Sequence, residues 1–349
     1  MKRTLLLFVI GTALCLCSLT FGAPYANAMS PSGTITEKLA EAVQLYLNGE
    51  FEGGLAVADE LLARPSLTAK DSVAILEVKS ILTYAKGQQY KKAAFGYLQS
   101  MAKIGPCILD LPRDIWPSEL RDKWYEILKK KNQLACSKDE TSRVRTIAIM
   151  PFDNCSAGQY MESLGNLGKG LSDFFVLDFS KYGGIKVVER DKLDYLIREY
   201  DLVKQGKVDQ ASAIKVGKML GAQMMVFGTI MQIDGKNGRM GVRVVDVETS
   251  GLIVTADTAG RPNFVEMEKA LVKDIAAKLS LAAAGETGAA AGESATTDMD
   301  AAKLYSLGLK YMDEYQYERA YEYFRKAYEK DHTFTAAKKK MEIYKPLVS

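Results

Sequence analysis

The sequence predicts a mixed α/β domain, in which helices cover a sheet, with all-α segments before and after it. Apolar residues recur every three or four positions in residues 34–131 and 299–349, which is the period of amphipathic helices. Between these segments, short apolar runs end at proline, glycine or polar residues, as buried strands do. Residues 282–297 contain only Ala, Gly, Ser, Thr and Glu, which is too little apolar bulk to pack and indicates a flexible linker.

The first residues carry the three parts of a secretory signal. Lys2 and Arg3 precede an apolar run at residues 5–21, and the small-x-small triplet Ala26-Asn27-Ala28 follows. An uncleaved membrane anchor is the alternative, but the run is a little short of the ~20 residues that a spanning helix needs. We therefore expect cleavage after this triplet and a periplasmic protein, associated with the outer membrane or not. We expect no integral membrane span in the mature chain.

The segment 34–131 predicts helices joined by short turns. The turns at residues 48–51 and 86–90 interrupt the apolar stripes. Phe51 and Tyr90 occupy matching places ~39 residues apart, which indicates a degenerate helix–turn–helix repeat of tetratricopeptide type with a lengthened connection.

From Arg145 onward the pattern changes to strands that alternate with helices. Strand–helix–strand followed by a meander implies a mixed sheet covered by helices. Asp153 and Asn154 follow the first strand, where α/β folds place many binding sites, although stabilisation of a turn is the simpler account. The predicted helices are 164–180, 191–200, 211–220 and 263–284, and the predicted strands are 146–150, 185–188, 223–233, 241–248 and 252–259.

Two motifs in this domain have both a functional and a structural interpretation. Gly165, Gly168 and Gly170 follow a strand but lack the spacing of a phosphate-binding loop, so we assign them to close packing of a helix on the sheet. The triplet Glu189-Arg190-Asp191 can form an ion-pair site, but we interpret Asp191 as a helix N-cap.

The segment 299–349 fits one whole tetratricopeptide repeat of about 34 residues, followed by a capping helix. Gly308 and Ala320 are small where the two helices would touch, and Tyr311 and Phe324 would fill the space beside them. His332 stands where such repeats usually carry proline. The seven matching positions are Leu304, Leu307, Gly308, Tyr311, Ala320, Phe324 and Ala327.

A single repeat of this kind needs a neighbour, because stacked repeats supply much of one another's core. It therefore docks on another part of the chain or on a second subunit. Tyr305, Leu309, Met312 and Asp313 would line its concave groove, where such repeats commonly take peptides. The alternative is that these four residues pack against neighbouring helices.

Three cysteines follow the signal. Cys107 and Cys136 are a candidate disulfide in an oxidising compartment, which would contribute about 3–4 kcal/mol, but ordinary buried thiols fit equally well. The three are Cys107, Cys136 and Cys155, so one thiol is left over, and the sequence does not determine which two pair. Cys15 and Cys17 lie within the signal, and each follows a leucine where a lipid-attachment site usually has a small residue.

The composition argues against several classes of protein. Without Lys2 and Arg3, the 46 basic residues become 44 against 43 acidic ones, which leaves no electrostatic footprint for nucleic acid or an anionic membrane. His332 is the single histidine, which disfavours His-clustered metal sites and Ser–His–Asp triads. We predict no catalytic residues, no metal site and no cofactor.

Five sequence blocks follow one another between residues 145 and 282: TIAIMPFDN, the pair LG and GKGLSD, VVERDKLDYLIREYDL, KMLGAQMMVFGTI and VRVVDVETSGLI. In this order and spacing they resemble the CsgG family, the outer-membrane curli secretion component and its relatives. The resemblance implies an α/β fold of the CsgG and TolB N-terminal kind, a Gram-negative source, a periplasm-facing location and a ring-shaped homo-oligomer. Pore-forming members of that family carry a lipidated cysteine and two membrane hairpins. Residues 229–242 hold only one short turn, so we expect the fold without the pore.

We therefore predict an exported scaffold or assembly factor, not an enzyme, that associates with itself or with a secretion or cell-surface complex. The alternatives are an outer-membrane secretion channel of the curli type and a small-ligand or nucleotide-binding module. The predicted organisation is a signal peptide at 1–28, a tetratricopeptide-like helical domain at 34–131, a CsgG-like α/β domain at 143–282, a flexible linker at 283–298 and a tetratricopeptide repeat with its capping helix at 299–349.

Overall fold

The computed structural model describes residues 33–107, 115–134, 144–200, 203–204, 207–283 and 295–348. The predicted signal peptide, Cys136 and most of the predicted linker lie outside these residues. Cys107 is disulfide-bonded and Cys155 is a half-buried thiol, and the pairing of Cys107 with Cys136 stays a prediction. No described helix combines the length and the apolar character that a membrane span requires.

The N-terminal unit is helical wherever it is described. Its third helix is buried on nearly every side, because the run from Val73 to Tyr84 packs between its neighbours. This helix begins at a capping box, in which the Asp71 amide donates to the Thr68 hydroxyl at 3.1 Å and the Asp71 carboxylate accepts from the Thr68 amide. The helices are α1 (Gly33–Leu47), α2 (Phe51–Leu62), α3 (Ala69–Ala85), α4 (Lys91–Ile104) and α5 (Ser118–Lys130).

The central unit is built on a mixed six-stranded sheet, as the alternation of strands and helices predicted. The strand order is β3-β1-β6-β7-β8, with the short β2 beside β6. β1 is parallel to β3 and β6, whereas β6, β7 and β8 form an antiparallel meander. The strands are β1 (Arg145–Ile149), β2 (Asp153–Asn154), β3 (Ile185–Val187), β6 (Met224–Gln232), β7 (Gly238–Asp246) and β8 (Leu252–Gly260), and a separate hairpin joins β4 (Val203–Lys204) and β5 (Lys207–Val208).

Helices cover one face of this sheet and part of the other. Ile147 and Ile149 of β1 point to the face that α7 and α10 cover, whereas Ala148 points to the core shared with α8, α9 and the N-terminal unit. Strand alternation thus divides the apolar residues between two cores. The helices of this unit are α6 (Gln159–Ser163), α7 (Leu167–Phe179), α8 (Arg190–Glu199), α9 (Gln210–Leu220) and α10 (Phe264–Lys278).

The C-terminal unit is a helical hairpin with a third helix against it. Its helices are α11 (Met299–Asp313), α12 (Tyr317–Lys330) and α13 (Thr335–Tyr344). Gly308 lies directly under the ring of Phe324, where a Cβ atom would come within 2.6 Å of the ring. The small residue at this position therefore has the packing reason that the sequence suggested.

Glu268 on α10 is an isolated carboxylate in the apolar interior. It is fully buried, and neither carboxylate oxygen has a hydrogen-bond partner among the described residues. Burial first, and then the charge of Asp178, raises the pKa of Glu268 well above its ordinary value of 4.5. Folding therefore keeps a proton on Glu268 that the unfolded chain releases above about pH 4.5, so the free energy of unfolding falls as the pH rises from there.

Replacing Glu268 with glutamine is expected to raise the free energy of unfolding by about 1–3 kcal/mol at pH 7 and to leave it nearly unchanged at pH 4, because glutamine resembles the protonated acid. Urea unfolding at pH 4, 5.5, 7 and 8 measures this difference. The control is Asp274→Asn on the exposed side of the same helix. A glutamine variant as pH-dependent as the parent chain would contradict the assignment of this proton to Glu268.

Candidate protein-interaction surfaces

The groove residues predicted for the C-terminal unit are covered by the chain itself. Tyr305, Leu309 and Met312 are buried, at 1%, 0% and 0% exposure, and the Asp313 side chain is 8% exposed. The Tyr305 hydroxyl donates to Asp173 of α7 at 2.6 Å. Helices α5, α7 and α8 therefore occupy this concave side, which is the packing alternative that the sequence left open.

A cluster of buried charges joins the C-terminal unit to the central unit. Arg190 at the start of α8 lies at its centre, with its side chain only 2% exposed. Its guanidinium contacts the carboxylates of Asp191 at 2.7 Å, Asp313 at 3.4 Å and Asp173 at 3.5 Å, and also pairs with Asp194. One cation thus holds together acids from α7, α8 and α11.

The pKa values of the acids in this cluster shift in different directions, and burial raises that of Asp194. Burial alone would raise the pKa of Asp313, but the positive charges of Arg190 and Lys169 lower it to about 2. Burial likewise opposes ionisation of Asp191, and Arg121 at 2.7 Å, followed by Arg190, lowers its pKa far below the ordinary value.

The interpretation of Asp191 as an N-cap was wrong. The capping position belongs to Glu189, which makes no side-chain cap bond, and Asp191 lies in the first turn of α8. Its carboxylate instead forms ion pairs with Arg190 and Arg121. A sequence pattern favours a local cap, whereas the arginine on α5 reaches Asp191 only through the tertiary fold.

The N-terminal unit packs on the C-terminal unit as well. The Ser118 hydroxyl donates to the Met312 carbonyl, and the Glu119 amide donates to the Tyr317 hydroxyl at 3.2 Å. At the far end, the Tyr46 hydroxyl of α1 donates to the Ile343 carbonyl at 3.3 Å. The C-terminal helices therefore contact both of the other units.

A second candidate surface lies on the meander of β6, β7 and β8. Phe227, Arg243 and Thr255 form one cross-strand row, and Thr229, Gly241 and Asp257 form the next. Because strand positions two apart share a face, both rows point to the side away from α7 and α10. These residues are exposed or half-exposed. We call this surface the open sheet face, and its residues are Phe227, Thr229, Gly241, Arg243, Thr255 and Asp257.

The open sheet face borders a half-open cavity of about 370 Å³, which is within the size range of small-ligand pockets. Ile197 of α8 and Pro151 after β1 line its other side. Among the described residues no group of three or more His, Cys, Asp or Glu side chains could hold a metal ion. For binding, the cavity offers its shape, the aromatic rings of Phe152 and Phe227 and a few polar groups.

The two polar residues after β1 have different surroundings. Asp153 lines the cavity, at the strand end where the sequence allowed a binding role. The Asn154 side-chain amide donates to the carbonyls of Tyr160 and Met161 at 3.3 and 3.0 Å, and its oxygen accepts from the Ser156 amide at 3.0 Å. Asn154 therefore stabilises the turn, in agreement with the simpler account.

One stretch of the sequence, which begins at the end of α5 and ends within α10, matches a known family. Residues 129–275 match the model of the family described as the curli production assembly/transport component CsgG. The central domain is CsgG-like. The match covers the sheet, its covering helices and the open sheet face.

Three solved structures are similar to part of this chain. The C-terminal domain of LpoB from Salmonella enterica is 16% identical, with a TM-score of 0.24, and the match covers 39% of this chain and 93% of that one. Lipoprotein GNA1162 from Neisseria meningitidis is 15% identical, with a TM-score of 0.26 and coverages of 39% and 96%. A PelC dodecamer from Paraburkholderia phytofirmans is 12% identical, with a TM-score of 0.25 and coverages of 40% and 89%. No curated protein matches the sequence.

Proposed function

We propose that this protein is an exported scaffold or assembly factor of the Gram-negative cell envelope. It acts by protein–protein contact in secretion or cell-surface assembly, and not by catalysis. It resides in the periplasm, in association with the outer membrane, after cleavage of the signal at residues 1–28. Its partners are further copies of itself or members of an envelope complex.

One observation carries this proposal: residues 129–275 match a family whose description is assembly and transport. The arrangement of surfaces supports a binding role. The C-terminal groove is filled by the chain's own helices, whereas the sheet face of the CsgG-like domain is open beside a cavity. We therefore assign partner contacts to the open sheet face.

We interpret the helical units as tetratricopeptide-like. The α11–α12 pair is one repeat with α13 as its cap, and residues 34–131 are degenerate repeats. In this proposal the units fix the position of the CsgG-like domain and are not the peptide-binding element. The groove at Tyr305, Leu309, Met312 and Asp313 becomes a partner site only when the C-terminal unit leaves its position.

Site-specific photo-crosslinking in living cells tests the proposal. A photoreactive amino acid at Thr229, which is exposed on the open sheet face, is expected to give a discrete adduct with an envelope protein or with a second copy. The matched control carries the same group at Glu60, which is 59% exposed on α2. This position is expected not to give that adduct.

Cell fractionation belongs to the same experiment. Recovery of the chain from the envelope fraction and a discrete Thr229 adduct support an envelope scaffold. Recovery outside the envelope, or the absence of any adduct from Thr229, contradicts it. Ion conductance by the purified chain in a planar bilayer would replace the proposal with a secretion channel.

A further inference from the structure

The open sheet face contains an arginine that the fold does not use. Arg243 on β7 is exposed, and its guanidinium lies 5.0 Å from the centre of the Phe227 ring. It forms no ion pair or side-chain hydrogen bond with the residues that the structure describes. By contrast, its neighbour Arg239 is paired with Asp257 at 2.9 Å. A guanidinium stacked on a ring keeps its N–H edge available for an acceptor.

The glycine beside this arginine has no packing reason. Gly241 lies in the interior of β7 without a positive φ, and a Cβ atom there would find only the Thr229 hydroxyl at 3.4 Å and Asp257 Cβ at 4.0 Å, both ordinary contacts. At Gly228 on β6, in comparison, a Cβ would come within 2.3 Å of the Phe152 ring. A strand glycine that the fold itself does not require marks a place where another chain or a ligand can approach the backbone closely.

The charges of the cavity determine where an acid can lie. Asp257 is neutralised by Arg239, and Asp153 lies beside Thr229 on the adjoining strand. In the row Phe227–Arg243–Thr255, the positive charge of Arg243 therefore has no carboxylate to balance it. The Thr255 hydroxyl belongs to the same row. A carboxylate is complementary to this row, and apolar side chains are complementary to Ile197 and Phe227 on the cavity wall.

We propose that the open sheet face binds an extended peptide segment of a partner protein, with an Asp or Glu carboxylate on Arg243, an adjacent apolar side chain in the cavity and the peptide backbone over Gly241. This inference rests on the proposed function and names the chemistry of the partner. The carboxylate takes a two-pronged hydrogen bond from the guanidinium, which selects it over an amide of the same shape.

Two matched libraries of blocked octapeptides test the proposal on the full chain without its predicted signal. One library has Glu fixed at the centre and the other has Gln, and the remaining positions are drawn from the same set of apolar and small polar residues. Enrichment on the immobilised protein, followed by titration of the enriched peptides, measures the preference. We expect the Glu peptides to bind at least about tenfold more tightly than their Gln counterparts, since a hydrogen bond to a charged group is the stronger one.

Two variants locate the site. Arg243→Gln is expected to abolish the preference for Glu. Gly241→Val is expected to weaken the binding of all peptides about tenfold or more, because the valine side chain fills the cavity. Valine suits a strand and meets no clash here, so the thermal unfolding midpoint should not fall. The controls are Arg325→Gln on α12 and Gly260→Val at the end of β8, where a Cβ atom meets nothing within 4 Å.

The outcomes separate this inference from the proposed function. Equal binding of the Glu and Gln libraries, or a preference that survives in Arg243→Gln, overturns the inference, and a Thr229 adduct in cells would still support an envelope scaffold. Binding of free glutarate as tightly as the Glu peptides also overturns it, in favour of a small-anion site. A Glu preference that both variants lose and both controls keep establishes the peptide site.

Discussion

Replacing Arg190 with methionine is expected to lower the free energy of unfolding by about 3–5 kcal/mol, because it removes the cation from a buried group of acids. Methionine has nearly the length of the arginine side chain, so the loss of unfolding free energy comes from the missing charge and not from a cavity. Without Arg190, the carboxylates of Asp194 and Asp313 keep their ion pairs with Lys169, whereas Asp173 loses the contact with its arginine. Urea unfolding at pH 7 measures the effect.

The control for this prediction is Arg325→Met. Arg325 forms a single surface pair with Glu329, and its side chain is 42% exposed, so we expect a change below about 1 kcal/mol. If Arg190→Met were equally mild, the charge cluster would not be what holds the C-terminal unit in place. Hydrogen exchange gives a second readout, because α11 and α12 should lose protection before the sheet does.

The pH dependence of the free energy of unfolding gives an independent test of the same cluster. The pKa of Asp313 lies at about 2 in the folded chain, below its ordinary 3.8, so its contribution to stability is complete above pH 4 and is lost as the pH falls toward 2. In Arg190→Met the pKa of Asp313 rises, and the acid-induced loss of stability should begin at a higher pH than in the parent chain.

Replacing Gly168 with alanine is expected to destabilise the protein by about 2–4 kcal/mol, although alanine is ordinarily the better helix former. A Cβ atom at this position of α7 would lie 1.9 Å from the Phe152 carbonyl oxygen and 2.9 Å from its carbon. Both are backbone atoms, so the helix has to move away from the strand. The Phe152 amide, which donates to the Gly168 carbonyl at 3.1 Å, would lose its partner.

Gly96→Ala is the matched control. Gly96 lies within α4, and a Cβ atom there meets nothing within 4 Å, so this variant should be more stable than the parent chain by about 0.5–1 kcal/mol. Opposite signs for the two substitutions in thermal and urea unfolding are the expected result. A stabilising effect of Gly168→Ala would mean that α7 does not lie this close to the end of β1.

The sequence was sufficient for the features that depend on local periodicity. The segments 223–233 and 252–259 were predicted to be strands, and the structure has strands at Met224–Gln232 and Leu252–Gly260. The helix 164–180 corresponds to α7 with the short α6 before it. The hairpin of β4 and β5 and the two-residue β2 were missed, because such short strands carry too little apolar pattern to be recognised.

The candidate sites were harder to predict because they depend on contacts between distant residues. Asp313 and Arg190 are 123 residues apart, and nothing in either local pattern relates them. The periodicity of α11 showed an apolar stripe but not the surface that would cover it. The open sheet face left one signal in the sequence, an isolated glycine in a strand otherwise rich in valine, and its meaning appears only when Gly241 and Gly228 are compared in three dimensions.

The hydrogen bond from Tyr46 to Ile343 joins residues that are 297 positions apart. Because residues of α11 and α12 also belong to the core over α7, the native packing of α7 requires these C-terminal helices. Contacts between residues so far apart in sequence form slowly, so we expect α7 to reach its native packing late in folding.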